Sequence, residues 1–591
     1  MNWEIVFVLG LACVAVVLFV TEKIPSDMVA ILVMVTLLVS GVLTPAEGLA
    51  GFANSATLAV GAMFVLSAGM FRSGAVNFVG RALGRLARRS MGLMQLALMT
   101  GVGVLSSFLN NTAAVAILIP VVIVVARRAD TSPSKLLMPL SFASMFGGMC
   151  TLLGTSTNIL ASSIAEQEGL EPFGMFEFTK LGVIFFAVGV AYMMTVGRRL
   201  VPDHRGMGDL TKSFGLGAYL TDLVLQSDAK SVGEPLSSAP IIEDLGIEIL
   251  QIRRGDDTLR PTPETILREN DVLRIKGDLR KIDELKDRAG VTFGMSPQWR
   301  DVDLESADTR LVEAVVGPSS PLAGKSLAES RLRDNYGAVV LAIRQRGTLM
   351  HGTLGDIKLM PGDALLIDVP NDQIEHLTQQ RVFLLVSMAG IPRFDRSKAT
   401  KAFAIVAAVV VLAGTGVLSI VSAAVAGALA MVLSGCISTD EAYGAIEWKV
   451  LFLLAGMLAL GAAMQKTGAS TMLAAGLIDR VGVYGPVALL AAFFGVTMLL
   501  TEAMSNNATV ALLLPIAITT AQSIGANPRA FMFAVVFAAS SSFMTPVGYQ
   551  TNTMIYGPGQ YRFVDFLRIG APLNLVFWVL GTLLIPWFWP L

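Results

Sequence analysis

The sequence is short of charge, cysteine and histidine, and each shortage excludes a class of protein. Only 15% of the 591 residues are charged, whereas 54% are hydrophobic, which argues against a disordered chain and against an ordinary soluble enzyme. The three cysteines lie far apart in apolar stretches, so they predict neither a disulfide framework nor a metal site. A formal net charge of −1 predicts no affinity for nucleic acid.

Motifs of catalysis are also missing. The chain contains no Gly-x-Ser-x-Gly, no P-loop and no cluster of metal ligands. All three histidines, His204, His351 and His376, fall in one polar middle section, so a metal centre in the apolar remainder would have no histidine ligand. The sequence therefore predicts that the protein is not an enzyme.

Long apolar runs dominate the rest of the chain. The runs at 5–20 and 29–43 are long enough to cross a bilayer. The first of them lacks a basic start and a small-residue cleavage site, which predicts a retained helix rather than a signal peptide. Across the first 200 residues we predict five membrane segments, at 4–20, 27–43, 56–71, 136–165 and 180–197.

An internal repeat relates the two ends of the chain. Residues 109–120 hold an amide cluster and an apolar run that ends in Pro120, and residues 504–515 repeat this pattern up to Pro515. The two prolines are 395 positions apart (515 − 120). Amides at membrane depth must be satisfied by protein, water or a bound solute, so a duplicated cluster predicts a central binding site.

Other polar landmarks recur at almost the same spacing. Residues 154–158 (Gly-Thr-Ser-Thr-Asn) match residues 548–552 (Gly-Tyr-Gln-Thr-Asn) at 394 positions (548 − 154). We therefore predict that residues 1–200 and 398–591 are two copies of one membrane unit. Two charged landmarks also keep this spacing: Glu47 with Glu441, and Arg72 with Lys466.

Each copy is predicted to interrupt its helices twice. Residues 91–126 have a polar middle, which a re-entrant hairpin buries better than a full crossing. Residues 136–165 carry glycines that should break the helix near mid-membrane, as Pro546 and Gly548 should in the second copy. Broken helices expose free N–H and C=O groups, from which transporters build ion sites.

Crossing number and charge predict the orientation. Five crossings in each copy require the two copies to be inverted relative to each other. The basic side of the first copy should face the cytoplasm, which places both termini outside and a cytoplasmic insert in a multi-pass protein of the inner membrane. The basic residues concerned are Arg72, Arg81, Arg85, Arg88, Arg89, Arg127, Arg128, Lys135, Arg198 and Arg199.

The middle section, residues 203–387, is charged and rich in short β-branched runs. Predicted half-buried strands occur in one order twice: 223–225, 247–252 and 271–275, then 311–316, 338–343 and 363–368. The two units, 203–300 and 301–387, resemble a tandem pair of the TrkA-C (RCK-C) domains of bacterial potassium-uptake subunits. The resemblance implies small α/β modules that bind an anionic small-molecule regulator. A purely structural or dimerising insert is the alternative.

The duplicated hairpins resemble those of the divalent-anion:sodium symporter (DASS) family, over nearly all of both membrane copies. The signature of that family is Ser-Asn-Thr at each hairpin tip and Gly/Ala-Thr-Pro-Pro-Asn in each broken helix. Here the tips read Asn110-Asn111-Thr112 and Ser505-Asn506-Asn507, with one departure each. In the broken helices the prolines are missing, and Tyr549 replaces a small hydroxyl residue.

The resemblance also implies the ligands. One sodium ion would be held by Ser106, Asn110, Asn111 and the backbone near Gly154, and another by Thr501, Ser505, Asn506 and the backbone near Gly548. The anion would meet Asn111, Thr112, Thr155, Asn506, Asn507 and Tyr549. Because neither motif contains Arg or Lys, bound sodium would supply the positive charge, which makes anion binding depend on sodium.

The sequence therefore predicts an α-helical polytopic membrane protein with two inverted repeats and an α/β insert. Its predicted function is sodium-coupled symport of a small divalent anion, either a sulfate-like oxyanion or a dicarboxylate. The family resemblance implies a homodimer in lipid and an elevator mechanism, with regulation by the insert. A proton-coupled anion transporter and a channel gated by the insert remain alternatives, although a Thr-Val-Gly-Tyr-Gly filter is missing. Glu502 would be the proton site of the first alternative, and capping of backbone N–H groups is its favoured role.

Overall fold

The two ends of the chain fold together into a helical unit, residues 1–203 with 390–591, and the middle, residues 204–389, forms a separate unit. The computed structural model describes residues 3–21, 24–73, 90–128, 131–203, 220–227, 229–239, 248–255, 257–259, 261–276, 291–293, 309–317, 320–345, 348–350, 354–379, 382–385 and 396–591. Arg81, Arg85, Arg88 and Arg89, which contribute to the predicted orientation, lie outside these residues, as does the predicted boundary at residues 300 and 301.

The first copy contributes nine described helices. They are α1 (Trp3–Thr21), α2 (Ser26–Val39), α3 (Pro45–Leu49), α4 (Ser55–Arg72), α5 (Met91–Ser106), α6 (Asn111–Arg128), α7 (Ser134–Gly148), α8 (Ser156–Gln167) and α9 (Thr179–Tyr192). A π-helical turn at Met193–Gly197 extends α9 to Arg198–Leu200.

The middle unit contains two antiparallel sheets with one topology. The strands are β1 (Leu220–Leu225), β2 (Glu248–Arg254), β3 (Asp257–Leu259), β4 (Val272–Lys276), β5 (Val291–Phe293), β6 (Thr309–Val315), β7 (Val339–Gln345), β8 (Thr348–Met350), β9 (Ala364–Pro370) and β10 (Leu384–Leu385). The first sheet has the order β3-β2-β4-β1-β5, and the second has the equivalent order β8-β7-β9-β6-β10. Short helices α10 (Leu327–Ser330), α11 (Leu332–Tyr336) and α12 (Gln373–Gln379) accompany the second sheet.

The second copy repeats the helices of the first. They are α13 (Arg396–Gly414), α14 (Ile420–Leu433), α15 (Thr439–Ala445), α16 (Trp448–Thr467), α17 (Ala469–Val481), α18 (Pro486–Thr501), α19 (Asn506–Ser523), α20 (Pro528–Ala539), α21 (Gln550–Tyr556) and α22 (Phe563–Phe588). Within the described residues, six helical stretches are long and apolar enough to cross a membrane: Trp3–Thr21, Pro45–Arg72, Thr179–Leu200, Ser397–Gly414, Trp448–Thr467 and Phe563–Phe588. The predicted fold class, a polytopic helical protein with hairpins, broken helices and a sheet-containing insert, is confirmed.

Two ion pairs between the copies show that the copies run in opposite directions. Glu47 of α3 places its Oε2 2.7 Å from Nζ of Lys466, in the last turn of α16. Arg72, at the end of α4, pairs with Glu441 of α15. Because α4 starts just after Glu47 and its 18 residues rise about 27 Å, the pairs lie at opposite ends of the helices, here called the Glu47 side and the Arg72 side. The equivalent residues exchange partners, as a two-fold axis in the membrane plane requires.

The broken helices are held open by one asparagine each. Between α7 and α8, Nδ2 of Asn158 donates to the carbonyl oxygens of Thr151 (2.8 Å) and Gly148 (3.3 Å). Between α20 and α21, Nδ2 of Asn552 donates to the equivalent carbonyls of Ser542 (3.0 Å) and Thr545 (3.2 Å). These amides satisfy backbone oxygens that the helix no longer pairs, which stabilises a non-helical segment within the apolar unit.

Aromatic packing holds the non-helical segment between α20 and α21, here called the second non-helical segment, against the first copy. Phe543 lies 5.4 Å, centroid to centroid, from Phe146 of α7 and also 5.4 Å from Phe577 of α22. Phe577 in turn lies 4.4 Å from Phe185 of α9. The core of the helical unit therefore runs between the two copies, and it supports the segments that carry the candidate site.

Candidate functional site

The two hairpin tips are short turns that are closed by helix caps. The first tip lies between Ser106, the end of α5, and Asn111, the start of α6; Oδ1 of Asn110 accepts from the backbone N–H of Thr112 at 2.8 Å. At the second tip, Oγ of Ser505 accepts from the N–H of Ala508 at 3.3 Å. The structure thus places Asn110 and Ser505 at helix N-termini as caps, where the positive ends of two helix dipoles meet one region.

Each tip contacts the broken helix of the opposite copy. At the first tip, the phenol of Tyr549 donates to Oδ1 of Asn111 at 2.8 Å, and Oγ1 of Thr112 donates to Oε1 of Gln550 at 2.8 Å. The second tip repeats the arrangement with the first copy: Nδ2 of Asn507 donates to Oγ of Ser156 at 3.2 Å. Oγ1 of Thr157 donates to Oδ1 of the same amide, also at 3.2 Å. The site is therefore built from both copies at once.

A cavity of about 280 Å³ lies between the tips. Every predicted site residue except Ser106 and Thr501 lines it, and those two are fully buried behind the tips. Amides, hydroxyls and backbone supply most of its polar wall, and Ser156, Thr157 and Gln550 belong to this wall although the sequence analysis did not assign them to the site. Among the lining residues that the structure describes, Glu447 is the one charged side chain.

An oxygen-rich cage adjoins the first tip. One end of the Asn111 side-chain amide lies 3.2 Å from the carbonyl oxygen of Gly154 and 3.2 Å from that of Ser144. Ser106, five residues earlier, has a buried hydroxyl with no hydrogen-bond partner in the described part of the chain. Buried hydroxyls are almost always paired, so an orphaned one at the end of α5, on the same hairpin as this cage, fits a position where a cation binds.

The second tip has a related cage with different partners. Oγ1 of Thr501 donates to the carbonyl oxygen of Ala539 at 2.8 Å and to Oδ1 of Asn506 at 3.0 Å. Gly548 passes close by: an added Cβ would lie 2.1 Å from Oγ of Ser542. Only glycine allows the non-helical segment to approach this closely. Asn111 of the first tip therefore bonds to Tyr549 of the opposite copy, whereas Asn506 of the second tip bonds to Thr501 of its own copy.

Glu502 is a buried carboxylate beside the second tip. Its two oxygens accept from the backbone N–H groups of Met544 and Thr545, each at 2.9 Å. Nδ2 of Asn574 on α22 donates to it at 3.0 Å. Three donors therefore surround the carboxylate, and they tie the hairpin to the non-helical segment of the second broken helix.

The cavity reaches the Arg72 side. Its wall includes Pro25, at the start of α2, and Glu447 and Val450, at the start of α16. Both helices end on the Glu47 side, since α2 leads to Glu47 and α16 ends beside Lys466. This part of the lining therefore comes from helix ends that lie on the Arg72 side.

Three contacts join α8 and the residue after it to other helices near the Glu47 side. Oγ of Ser163 donates to Oδ1 of Asn54 at 2.6 Å, and Ser55 donates to Glu166 at 3.3 Å. Nε2 of Gln465 on α16 donates to Oε2 of Glu168 at 2.6 Å. Burial raises the pKa of Glu168 to about 7. These contacts join α8 to the start of α4 and to the end of α16.

Comparison with known proteins identifies the family. The family model described as "Citrate transporter" matches residues 16–536. An uncharacterized transporter of Synechocystis is 41% identical over 593 residues, which cover 99% of this chain and 97% of that protein. The uncharacterized transporter YfbS of Escherichia coli is 31% identical over the whole length of both chains. A probable sodium/sulfate cotransporter of Chlamydomonas reinhardtii is 24% identical over 92% of this chain and 84% of its own.

These relatives are transporters, which confirms the prediction that the protein is not an enzyme. The predicted resemblance to sodium-coupled anion symporters is confirmed at the level of the family, because relatives named sodium/sulfate cotransporters match along with the family model. The chain belongs to the citrate-transporter (DASS-like) family of membrane transporters.

Proposed function

We propose that the protein is a sodium-coupled symporter of a small divalent anion, either a sulfate-like oxyanion or a dicarboxylate. One observation carries the proposal: a cavity between two hairpin tips offers many amide and hydroxyl groups but, in its described lining, no Arg or Lys. A dianion transferred from water to such a site needs compensating positive charge. Sodium bound beside the cavity would supply it, and relatives named sodium/sulfate cotransporters support this choice of ion.

Sodium would bind in the two cages behind the tips. In the first, the ligands would be Oδ1 of Asn111, the carbonyl of Gly154 and the hydroxyl of Ser106, with the carbonyl of Ser144 added by the structure. Unwound backbone carbonyls are typical sodium ligands in transporters with broken helices. Asn110 acts there as the cap of α6, which keeps the tip in place.

In the second cage the ligands would be Thr501, Asn506 and the backbone near Gly548, with the carbonyl of Ala539 added by the structure. Ser505 would act as the cap of α19. The two sites would thus share a plan, a hydroxyl and an asparagine from the hairpin with carbonyls from the broken helix.

The anion would bind between the cages. Its donors would be Asn111, Thr112 and Thr155 from the first copy and Asn506, Asn507 and Tyr549 from the second, all of which line the cavity. The N-termini of α6 and α19 add two positive dipole ends, which favour an anion. Anion binding then depends on the occupancy of the sodium sites.

Transport would follow an elevator mechanism in a homodimer of the inner membrane. The hairpins and broken helices would move together, because the tips bond across the copies, whereas α2 packs on α16 and α4 on α14 to form the static part. The arginine-rich side faces the cytoplasm by the positive-inside rule, so the cavity would open inward. The insert would be cytoplasmic, and its two sheets of equal topology would form a TrkA-C-like pair that binds an anionic regulator.

Proton coupling through Glu502 is the second candidate, and the burial of this carboxylate is the observation that favours it. Its three hydrogen-bond donors favour a structural role instead, because two of them are backbone groups of the second non-helical segment and the third, Asn574, joins the carboxylate to α22. Replacing Glu502 with Gln separates the two functions: a proton-coupled carrier would lose its response to a pH gradient, whereas a sodium symporter would keep its response to sodium.

The proposal is tested by uptake of labelled sulfate and labelled succinate into proteoliposomes, with and without an inward sodium gradient. Sodium-dependent uptake of either anion by the wild type supports it. Asn111→Ala and Asn506→Ala should each abolish that uptake. Asn527→Ala is the matched control, because Asn527 caps α20 and does not line the cavity. Normal uptake by both tip variants would refute the assignment of the site.

A further inference from the structure

The Asn111 amide can take two orientations, related by a half-turn of its terminal bond, and the surrounding protein groups satisfy both ends of the amide in only one of them. In one, Nδ2 donates to the carbonyls of Ser144 and Gly154, and Oδ1 accepts the proton of the Tyr549 phenol at 2.8 Å. In the other, Oδ1 faces the two carbonyls at 3.2 Å, and Nδ2 donates to Oη of Tyr549 at 2.8 Å. The heavy atoms occupy the same positions in both.

The two orientations suit different ligands. Three oxygens that face one another without a proton repel, so the second orientation is stable only with a cation among them. The first orientation needs no ion, because the amide protons satisfy both carbonyls. Sodium binding at this cage therefore turns the amide.

The orientation of the Asn111 amide also determines which group accepts the hydroxyl proton of Tyr549. A phenol carries a single proton and can also accept. When Asn111 presents Oδ1 to Tyr549, the phenol donates its proton to the amide. When Asn111 presents Nδ2, the phenol accepts from the amide, and its own proton turns to the cavity side, where Thr155, which also hydrogen-bonds to the phenol, and a bound anion are the acceptors.

We propose that Tyr549 is a positioning residue that couples anion binding to sodium binding through the orientation of the Asn111 amide. Sodium in the first cage turns the amide and releases the phenol proton, which then donates a hydrogen bond to the anion. This inference rests on the proposed function and adds a directional link to the electrostatic attraction between sodium and the anion.

This coupling through an asparagine and a phenol occurs at the first tip and not at the second. At the second tip, Asn506 accepts from Thr501 of its own copy, and the residue equivalent to Tyr549 in the first copy is Thr155 (549 − 394). A threonine hydroxyl is much shorter than a phenol, and Thr155 donates to Thr157 at 3.4 Å. The two cages therefore differ in function: only at the first does sodium binding change the hydrogen bond that a residue of the opposite copy, Tyr549, offers to the anion.

Tyr549→Phe tests the proposal, because it removes the hydroxyl and keeps the ring. The readouts are the affinity of labelled sulfate without sodium and at saturating sodium, and the affinity of sodium without sulfate, on purified full-length protein. The matched control is Tyr192→Phe, which removes a phenol hydroxyl that donates to the carbonyl of Ile569 at 2.8 Å and does not line the cavity. Thermal unfolding without ligands confirms that both variants fold.

Tyr549→Phe should reduce the factor by which sodium raises sulfate affinity about tenfold, the usual effect of one hydrogen bond to a charged group. Sodium affinity without sulfate should change little, since each orientation of the amide loses one hydrogen bond. Tyr192→Phe should behave as the wild type. An unchanged sodium effect in Tyr549→Phe would overturn the proposal, as would an equal loss of sodium affinity without sulfate, which would indicate a structural role. If wild-type protein shows no sodium effect on sulfate, the proposed function itself fails.

Discussion

The close approach of Gly154 to the end of α7 makes a sharp test of the first sodium site. A Cβ at this position would lie 2.4 Å from the carbonyl oxygen of Gly148 and 2.7 Å from its Cα, and these are backbone atoms that cannot rotate away. An ordinary contact needs at least about 3.4 Å, so Gly154→Ala forces a shift of roughly 1 Å, at a cost of about 1–3 kcal/mol. The carbonyl of Gly154, a proposed sodium ligand, must move with it.

We expect Gly154→Ala to weaken sodium binding by roughly tenfold to a hundredfold, because a displacement of about 1 Å at a binding group has effects of this size. The assay is a sodium titration of sulfate uptake in proteoliposomes at saturating sulfate. Gly101→Ala on α5 is the matched control, since an added Cβ there meets no atom within 4 Å. Gly548→Ala should have a smaller effect, because its nearest contacts are the side chains of Ser542 and Thr545. A Gly154→Ala protein with wild-type sodium affinity would refute the first cage as a sodium site.

Three further predictions concern charged groups. Exchanging the charges of Glu47 and Lys466 together should restore most of the melting temperature that either single reversal loses, because the pair bridges the two copies at 2.7 Å; additive losses would contradict this. Burial raises the pKa of Glu168 to about 7, so burying this side chain costs least below pH 4.5, where the carboxyl is protonated, and becomes more costly as the pH rises through about 7. Glu168→Gln cannot ionise and should therefore flatten the dependence of sulfate uptake on pH between about 5 and 8, and an unchanged profile would show that ionisation of Glu168 does not affect transport. In the insert, Asp271→Ala removes a fully buried carboxylate that accepts three hydrogen bonds, and hydrogen exchange in β2 and β4 of the full chain should accelerate about 30-fold, the equivalent of about 2 kcal/mol. Unchanged exchange there would show that the ion pair of Asp271 with Arg254 does not stabilise the sheet.

The sequence predicted the hairpins and broken helices because each carries polar residues where an apolar run is expected. Amides at 110–112 and 505–507 can be buried in lipid only inside protein, and the structure turns the chain at both places. The longer insert strands were predictable from alternation. The strand β10, with two residues, and β3 and β8, with three each, are too short to show a period.

Other parts of the candidate site could not be predicted, because they depend on contacts between the copies. Asn111 and Tyr549 are 438 positions apart, and only the fold brings them within hydrogen-bond distance. The carbonyls of Ser144 and Ala539 have no signal in the sequence, since every residue carries one. The ion pairs of Glu47 with Lys466 and of Arg72 with Glu441 could have been deduced from the inverted repeat, because an inverted repeat places equivalent residues in equivalent pairs.

In the proposed symport, sodium and the anion move together in one direction through one site. The most direct measurement loads proteoliposomes with equal labelled sulfate inside and outside and then imposes a sodium gradient, first inward and then outward, at zero membrane potential. Sodium symport predicts that sulfate accumulates inside above the outer concentration under the inward gradient and is depleted under the outward one. Sulfate that stays at equal concentrations under both gradients would contradict it.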